Sequence, residues 1–274
     1  MSVDQRTSAT DWRSAVGHVA SDLPAAMGLI PIAIALSVWE WSQLGAAIVS
    51  PYFPPPSAWW NSMLDLARSG RLIPALCATV ITLIAGIATA TIVGGAIGLL
   101  IGISRRAHRA LAPMLEFLRA IPPPAIVPLA ILFLGYDERM KLLVVALAAL
   151  WPILLNTTSA AERINPVLLD VARTFRLGTL DRLRRIVIPT VVPALLLGVR
   201  VALPLAIVVT LLVEILTSID GVGALMIRAQ RNFQSGQVYG LLMIVGLFGY
   251  LVNSLFAVIE ALIMRTRPPR TTSV

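Results

Sequence analysis

Residues Asp170 to Pro189 read DVARTFRLGTLDRLRRIVIP, five arginines and two aspartates in a chain whose residues are 57% hydrophobic. The run lies between two of the most apolar segments of the sequence, so its shape decides how those segments are joined. Val171, Ala172 and Phe175 fall on one face at helical spacing, and Leu180, Leu183, Ile186 and Val187 form a second stripe with the arginines opposite. Between the stripes lies Leu177-Gly178-Thr179, where Gly178 is expected to end one short helix and Thr179 to cap the next. Pro189 is placed to start or redirect the apolar run that follows. The pattern predicts a helix–turn–helix lying across one mouth of a helical bundle. Shape alone allows two uses, a compact knuckle offered to another molecule or a basic loop resting on anionic lipid.

The rest of the chain fixes the solvent. With 274 residues, only 13% charged, and a mean hydropathy of +0.84, the sequence is too apolar for a water-facing surface and belongs in a bilayer. The formal net charge is +8, and all but one of the 22 basic residues are arginine. These charges sit at the ends of apolar runs rather than in one patch, which points to phospholipid headgroups and other subunits as partners, not nucleic acid. The single cysteine, Cys77, excludes an intrachain disulfide framework. Residues 1–22 are polar and mixed in charge, and read as a cytoplasmic tail or surface helix rather than a cleavable signal.

Apolar runs of membrane-spanning length predict about six helices, near 24–46, 74–103, 113–135, 141–161, 190–216 and 238–264. The second is too long to stand upright and should tilt or extend beyond the bilayer. The charge-free run 41–64 is refused as a regular helix because SPYFPPPSAWWNS packs four prolines with an aromatic cluster; it reads as an interfacial segment with Trp59 and Trp60 at headgroup level. With both termini cytoplasmic, 14 basic residues lie inside and six outside, the latter being Arg68, Arg71, Arg139, Lys141, Arg228 and Arg231, so the positive-inside rule favours that orientation. The expected organisation is all-α: a cytoplasmic tail at 1–22, a membrane domain at 23–265 carrying the cytoplasmic helix–turn–helix 162–189, and a cytoplasmic tail at 266–274.

The opening segment resembles the EAA loop of permease subunits of bacterial ABC importers, whose pattern is Glu-Ala-Ala, a glycine, then Ile-x-Leu-Pro. Asp170 stands for the glutamate, Val171 and Ala172 for the alanines, and Ile186, Ile188 and Pro189 for the closing residues, while Arg176 occupies the glycine position and Gly178 comes two residues later. FPPPSAWW, LRAIPPPAIVPLAILFLG, VPALLLGVRVALPLAIVVTLLVEIL and GVGALMIRAQ, in that order, resemble the permeases of the sulfonate, taurine and nitrate importer group, covering roughly 50–265. The resemblance implies a homodimer of permeases in the bacterial inner membrane, two ATPase subunits that bind ATP and magnesium, and an extracytoplasmic substrate-binding protein. It implies no cofactor in this chain and assigns ATPase coupling to Asp170, Ala172, Phe175, Arg176, Leu177, Gly178, Thr179 and Pro189.

The residues themselves carry no competing chemistry. GxxxxGK(S/T), HExxH and CxxC are all missing from the sequence, and His18 and His108 lie in polar flanks where a solvated imidazole is the expected state. Arg200 lies about ten residues into the fifth run, roughly 15 Å deep, and Glu214 follows on nearly the same face almost four turns later. Arg200 is costly there unless it braces the fold through an ion pair or lines the pathway, with Glu214 as a second candidate pathway residue, and both readings stay open. Glu40 and Glu260 fall near span ends, where they are expected to reach the surface. Gly94, Gly98 and Gly102 repeat at four-residue spacing, which suits close helix packing inside one subunit or at a homodimer seam. Pro122, Pro123, Pro124 and Pro128 break the third run, as a static kink or a gate. The alternative of an ion-gradient-driven secondary transporter lacks an intramembrane Asp/Glu/His chain and an evident inverted repeat.

Overall fold

The computed structural model describes residues 30–44 and 52–264. Both predicted tails lie outside the described residues. The chain forms two compact units, Met1–Asn61 and Ser62–Val274.

In the first unit, α1 (Ile30–Leu44) is a 15-residue apolar helix corresponding to the expected first span. The ends of that span, 24–29 and 45–46, fall outside the described residues. The run refused as a helix is helical in part, because α2 (Pro56–Arg68) starts on the last of the clustered prolines. A proline at the first helical position loses no intrahelical bond, so the cluster ends where the helix begins. Glu40, expected to reach the surface, accepts there from the backbone N–H of Ser57 at 3.0 Å and from its hydroxyl at 2.7 Å, placing a carboxylate on an orphan N–H of α2. The ring of Trp59 meets Trp39 edge-on at 5.1 Å and its Nε1 donates to the Pro54 carbonyl. Trp59 is therefore buried, and of the expected tryptophan pair Trp60 alone, 68% exposed, keeps a ring at the surface.

The second unit begins within α2, at Ser62, and continues through α3 (Leu72–Ile103), α4 (Arg105–Arg119), a 3₁₀ turn at Pro123–Ile126, and α5 (Val127–Leu134). Then come α6 (Glu138–Glu162), α7 (Pro166–Thr174), α8 (Thr179–Arg182), a π-helical turn at Leu183–Val187, α9 (Ile188–Thr217), α10 (Val222–Arg231) and α11 (Ser235–Met264). There is no strand among the described residues. Among the described residues four helices are long and apolar enough to cross a membrane, α3, α6, the continuous 39-residue run Thr179–Thr217, and α11, and the bent pair of α4 with Pro123–Leu134 makes a fifth if it is one span.

The third expected span is not one helix. Pro122 takes an extended conformation (φ −65°, ψ 126°), as a residue before proline is driven to do, and the chain bends by 83° between α4 and the Pro123–Leu134 segment. Ser104 separates α3 from α4: its extended backbone stops the first helix and its hydroxyl accepts from the Ala107 N–H to cap the second.

The core is built around α6, which packs along α3 on one side and α9 on the other. Leu83, Val144, Val145, Ile153, Ala202 and Val213 belong to one buried cluster there. Gly94, Gly98 and Gly102 face α6, so the glycine spacing serves packing within the subunit. A Cβ added at Gly98 would stand 2.6 Å from the Leu154 carbonyl, and one at Gly198 of α9 would stand 2.8 Å from Ile153 Cα. Asp137 caps α6 by accepting from the Glu138 N–H at 2.7 Å.

Candidate functional site

The knuckle is a pair of short helices with a defined turn. Asn165 caps α7, its side chain accepting from the Val167 N–H at 2.9 Å, with Pro166 at the first helical position. Ala172 is fully buried, whereas Phe175 and Leu180 are 74% and 76% exposed. Asp170 pairs with Arg173 on the surface at 2.8 Å.

The turn differs from the expected one. Leu177 N–H donates to the Ala172 carbonyl and Arg176 N–H to that of Arg173, both at 2.9 Å, which is the double bond of a Schellman ending. The left-handed residue this motif needs is Arg176, at φ +50°. Gly178 has an ordinary extended backbone (φ −62°, ψ 162°) and is itself the N-cap of α8, with Thr179 as the first helical residue. Gly178 thus does not end α7, and Thr179 does not cap α8. The position where the importer pattern carries glycine is the one that adopts the conformation glycine favours, although arginine fills it here.

Pro189 follows the π-helical turn, in which Ile188 N–H reaches back to the Leu183 carbonyl. The helix is redirected without breaking, so one strut runs from Thr179 at the knuckle to Thr217. Its root is fixed by Ala161, Ile164, Val187 and Val191, a small apolar cluster shared with the end of α6.

The far end of the strut carries a buried polar cluster. Glu214 has no exposed surface; its oxygens accept from the Gly223 N–H at 2.9 Å and from the Thr79 hydroxyl at 2.9 and 3.0 Å. Thr79 Oγ1 in turn accepts from the Val222 N–H at 2.9 Å. Lys141 Nζ lies 2.9 Å from Glu138, 3.5 Å from Glu214, and donates to the Asp220 carbonyl at 2.8 Å. Three contacts use the three donors of an ammonium group, which is what a lysine with no exposed side-chain surface requires. The glycines explain the close approach of the loop: a Cβ at Gly221 would fall on the Glu214 carboxylate, and one at Gly223 would strike the Leu211 carbonyl and Glu214 Cβ. The cluster joins α3, α6, α9 and α10. Among the residues forming it, only Glu214 is singled out by the sequence reading, which counts Lys141 with the loop cations. The available signal is that Lys141 is the sole lysine among 21 arginines and follows Glu138 by one helical turn.

The structure does not bring Arg200 to Glu214. Arg200 is 53% exposed and reaches Glu260 of α11 at 3.5 Å, so Glu260 meets a cation rather than the surface alone. Arg119 and Glu116 form the expected one-turn pair at 2.8 Å. His108 of α4 contacts Glu162, the last residue of α6 before the knuckle.

Residues 94–266 match the family model described as a binding-protein-dependent transport system inner membrane component. The chain is 28% identical over 240 residues to a Bacillus subtilis protein assigned to aliphatic sulfonates transport as a permease, covering 88% of this chain and 87% of that one. It is 28% identical over 241 residues to a nitrate import permease protein of Leptolyngbya laminosa, covering 85% and 86%. A bicarbonate transport system permease protein of Synechococcus elongatus is 31% identical over 182 residues, covering 66% and 65%. Among solved structures, a methionine ABC transporter in inward-facing conformations superposes with a TM-score of 0.60 at 14% identity, covering 72% of this chain and 98% of that one. An amino acid ABC transporter with histidines gives 0.56 at 14% identity, covering 75% and 98%.

Proposed function

This chain belongs to the family of binding-protein-dependent transport system inner membrane components, the permeases of ABC transporters, and from that premise we propose that it forms the translocation pathway of an ATP-driven importer for a small anion. The substrate is a sulfonate, taurine, nitrate or an organic acid; relatives named for sulfonates, nitrate and bicarbonate support the anionic class. Two copies line the pathway, two separate ATPase subunits hold the ATP and magnesium, and an extracytoplasmic protein delivers the anion. The observation that carries this reading is the knuckle: a buried Ala172 holds it while Phe175 and Leu180 present an apolar tip among arginines, continuous with the strut that ends at the Glu214 cluster. Asp170, Arg176, Leu177, Gly178, Thr179 and Pro189 shape that tip and its root. An apolar tip flanked by arginines suits a protein cleft as well as a lipid interface, and membership of the ABC permease family, whose transporters work with a separate ATPase, is what favours the protein.

In the mechanism, ATP binding closes the ATPase pair and draws the two knuckles together on the cytoplasmic side. Each knuckle moves its strut as a rigid lever, and the lever ends where Glu214 holds the loop before α10. The cavity opens outward, and hydrolysis resets it. The buried Glu214 and Lys141, with the exposed Glu138, do not supply the Asp/Glu/His chain a proton relay would need: their contacts form a closed set at one end of the bundle. The test is uptake into liposomes. The permease co-reconstituted with its ATPase and binding protein should accumulate labelled sulfonate or nitrate only with ATP. Uptake driven by an imposed ion gradient without the ATPase would replace this reading with a secondary transporter.

A further inference from the structure

A trench runs along α3 with α9 as its floor. Its larger part, about 570 Å³, is walled on the other side by α11 through Phe248, Phe256 and Ile259. The smaller part, about 230 Å³, continues toward the knuckle past Gly95, Leu99 and Val191; Thr91, Ile92 and Leu195 line both parts. From Val80 to Leu99 the trench follows α3 for roughly 28 Å, close to the hydrocarbon thickness of a bilayer.

The Thr91 hydroxyl is spent on the Ile87 carbonyl, so the trench is apolar except at its knuckle end, where two polar features stand. Thr157 lines the smaller part, and its buried hydroxyl has no hydrogen-bond partner. A buried hydroxyl left unpaired costs free energy, so a ligand with an acceptor at this depth would be favoured. One step further out, Arg184 is exposed on the strut within the π-helical turn, four residues before Ile188, the first residue of the strut that lines the trench. Asp181 on the same strut is engaged by Arg185.

We propose that this trench binds one anionic phospholipid, its phosphate on Arg184, an ester carbonyl accepting from Thr157 Oγ1, and an acyl chain lying between α3 and α9 toward Phe256. The order of features along the trench, cation, then hydrogen-bond donor, then hydrocarbon wall, is the order of groups along such a lipid. A small free anion would have no use for the apolar length, and a protein helix would leave Thr157 unpaired. The site is independent of the transported substrate and bears on the lever itself, since the lipid would lie against the strut.

The test uses the complete transporter in nanodiscs containing phosphatidylglycerol or phosphatidylcholine with a photoactivatable group in the acyl chain. The phosphatidylglycerol probe should label residues 87–99 and 191–203 in preference to the phosphatidylcholine probe. Arg184→Gln should lower that labelling about fivefold, and Thr157→Val roughly threefold. Ala96→Trp at the exposed trench edge should block it, and Ile92→Trp at the other edge serves if that variant fails to assemble. Equal labelling by both probes, label placed elsewhere, or loss of label on adding inorganic phosphate would each overturn the proposal. So would an Ile92→Cys variant cross-linking two permease copies through the trench.

Discussion

Lys141 and Glu214, neither with any exposed side-chain surface, lie 3.5 Å apart across α6 and α9, and the Asp220 carbonyl closes the lysine's third contact. The pair locks the loop after the strut to the core. Lys141→Met removes the cation and strands the Glu214 carboxylate, and breaking a buried pair from one side costs about 3–5 kcal/mol. Glu214→Gln keeps one oxygen that can accept from both Gly223 and Thr79, and should cost less. Thermal unfolding of the detergent-purified complex should therefore rank wild type above Glu214→Gln above Lys141→Met. The reverse order would show that the lysine is the tolerated partner and the carboxylate the essential one.

The turn of the knuckle makes a prediction opposite to the one its glycine suggests. Arg176 holds the left-handed backbone at φ +50°, a conformation that costs a non-glycine residue about 1 kcal/mol, so Arg176→Gly should stabilise the knuckle by roughly that amount. Gly178→Ala should cost only about 0.5 kcal/mol, the loss of a better N-cap, because φ −62° suits any residue and the space around it is open. Melting curves of the two variants decide the matter. A large loss in Gly178→Ala with no gain in Arg176→Gly would mean that the chain turns at Gly178 after all.

These cases show what the sequence could and could not reveal. Spans such as α3 and α11 were readable because a long charge-free run is a local property with one outcome in a membrane. The proline cluster located the break in the third span, but the 83° bend depends on how α4 packs, which no local pattern encodes. The helix beginning at Pro56 was missed because prolines that forbid a helix interior are compatible with its first turn. Lys141 was missed for a different reason: three residues after the start of a span, a cation looks like a loop charge until tertiary structure supplies Glu214 and Asp220.

The glycine stripe distinguishes packing within a subunit from packing between copies. A side chain at Gly98 meets the Leu154 backbone carbonyl, which cannot move aside as a side-chain tip can. Gly98→Leu should abolish recovery of folded permease. Recovery of a folded but monomeric permease would instead place α3's glycines at the seam between copies.

Sidedness is tested with single cysteines in a Cys77→Ser background. Cys77 is exposed and would otherwise add label of its own. A cysteine at Gly178 should react with an impermeant reagent only from the cytoplasm, and one at Asp137, the cap of α6, only from outside. The opposite pattern would invert the orientation and move the knuckle away from any cytoplasmic ATPase.

Arg200 brings the two uses open to a deep arginine into direct comparison. Its partner Glu260 is a full 3.5 Å away and its own side chain is half exposed, so the pair is worth at most about 1 kcal/mol. A guanidinium held so loosely contributes little to the fold and remains available to a passing anion. Arg200→Gln should therefore leave the yield of assembled complex and its coupled ATP hydrolysis near normal while uptake falls. Arg200→Lys should keep partial uptake, because charge rather than a forked contact is what the anion needs. Glu260→Gln, which frees the arginine without removing it, should not lower uptake. If Arg200→Lys and Arg200→Gln both reduce the yield of complex, the residue braces the fold through contacts that outweigh the one to Glu260, and the pathway role is lost.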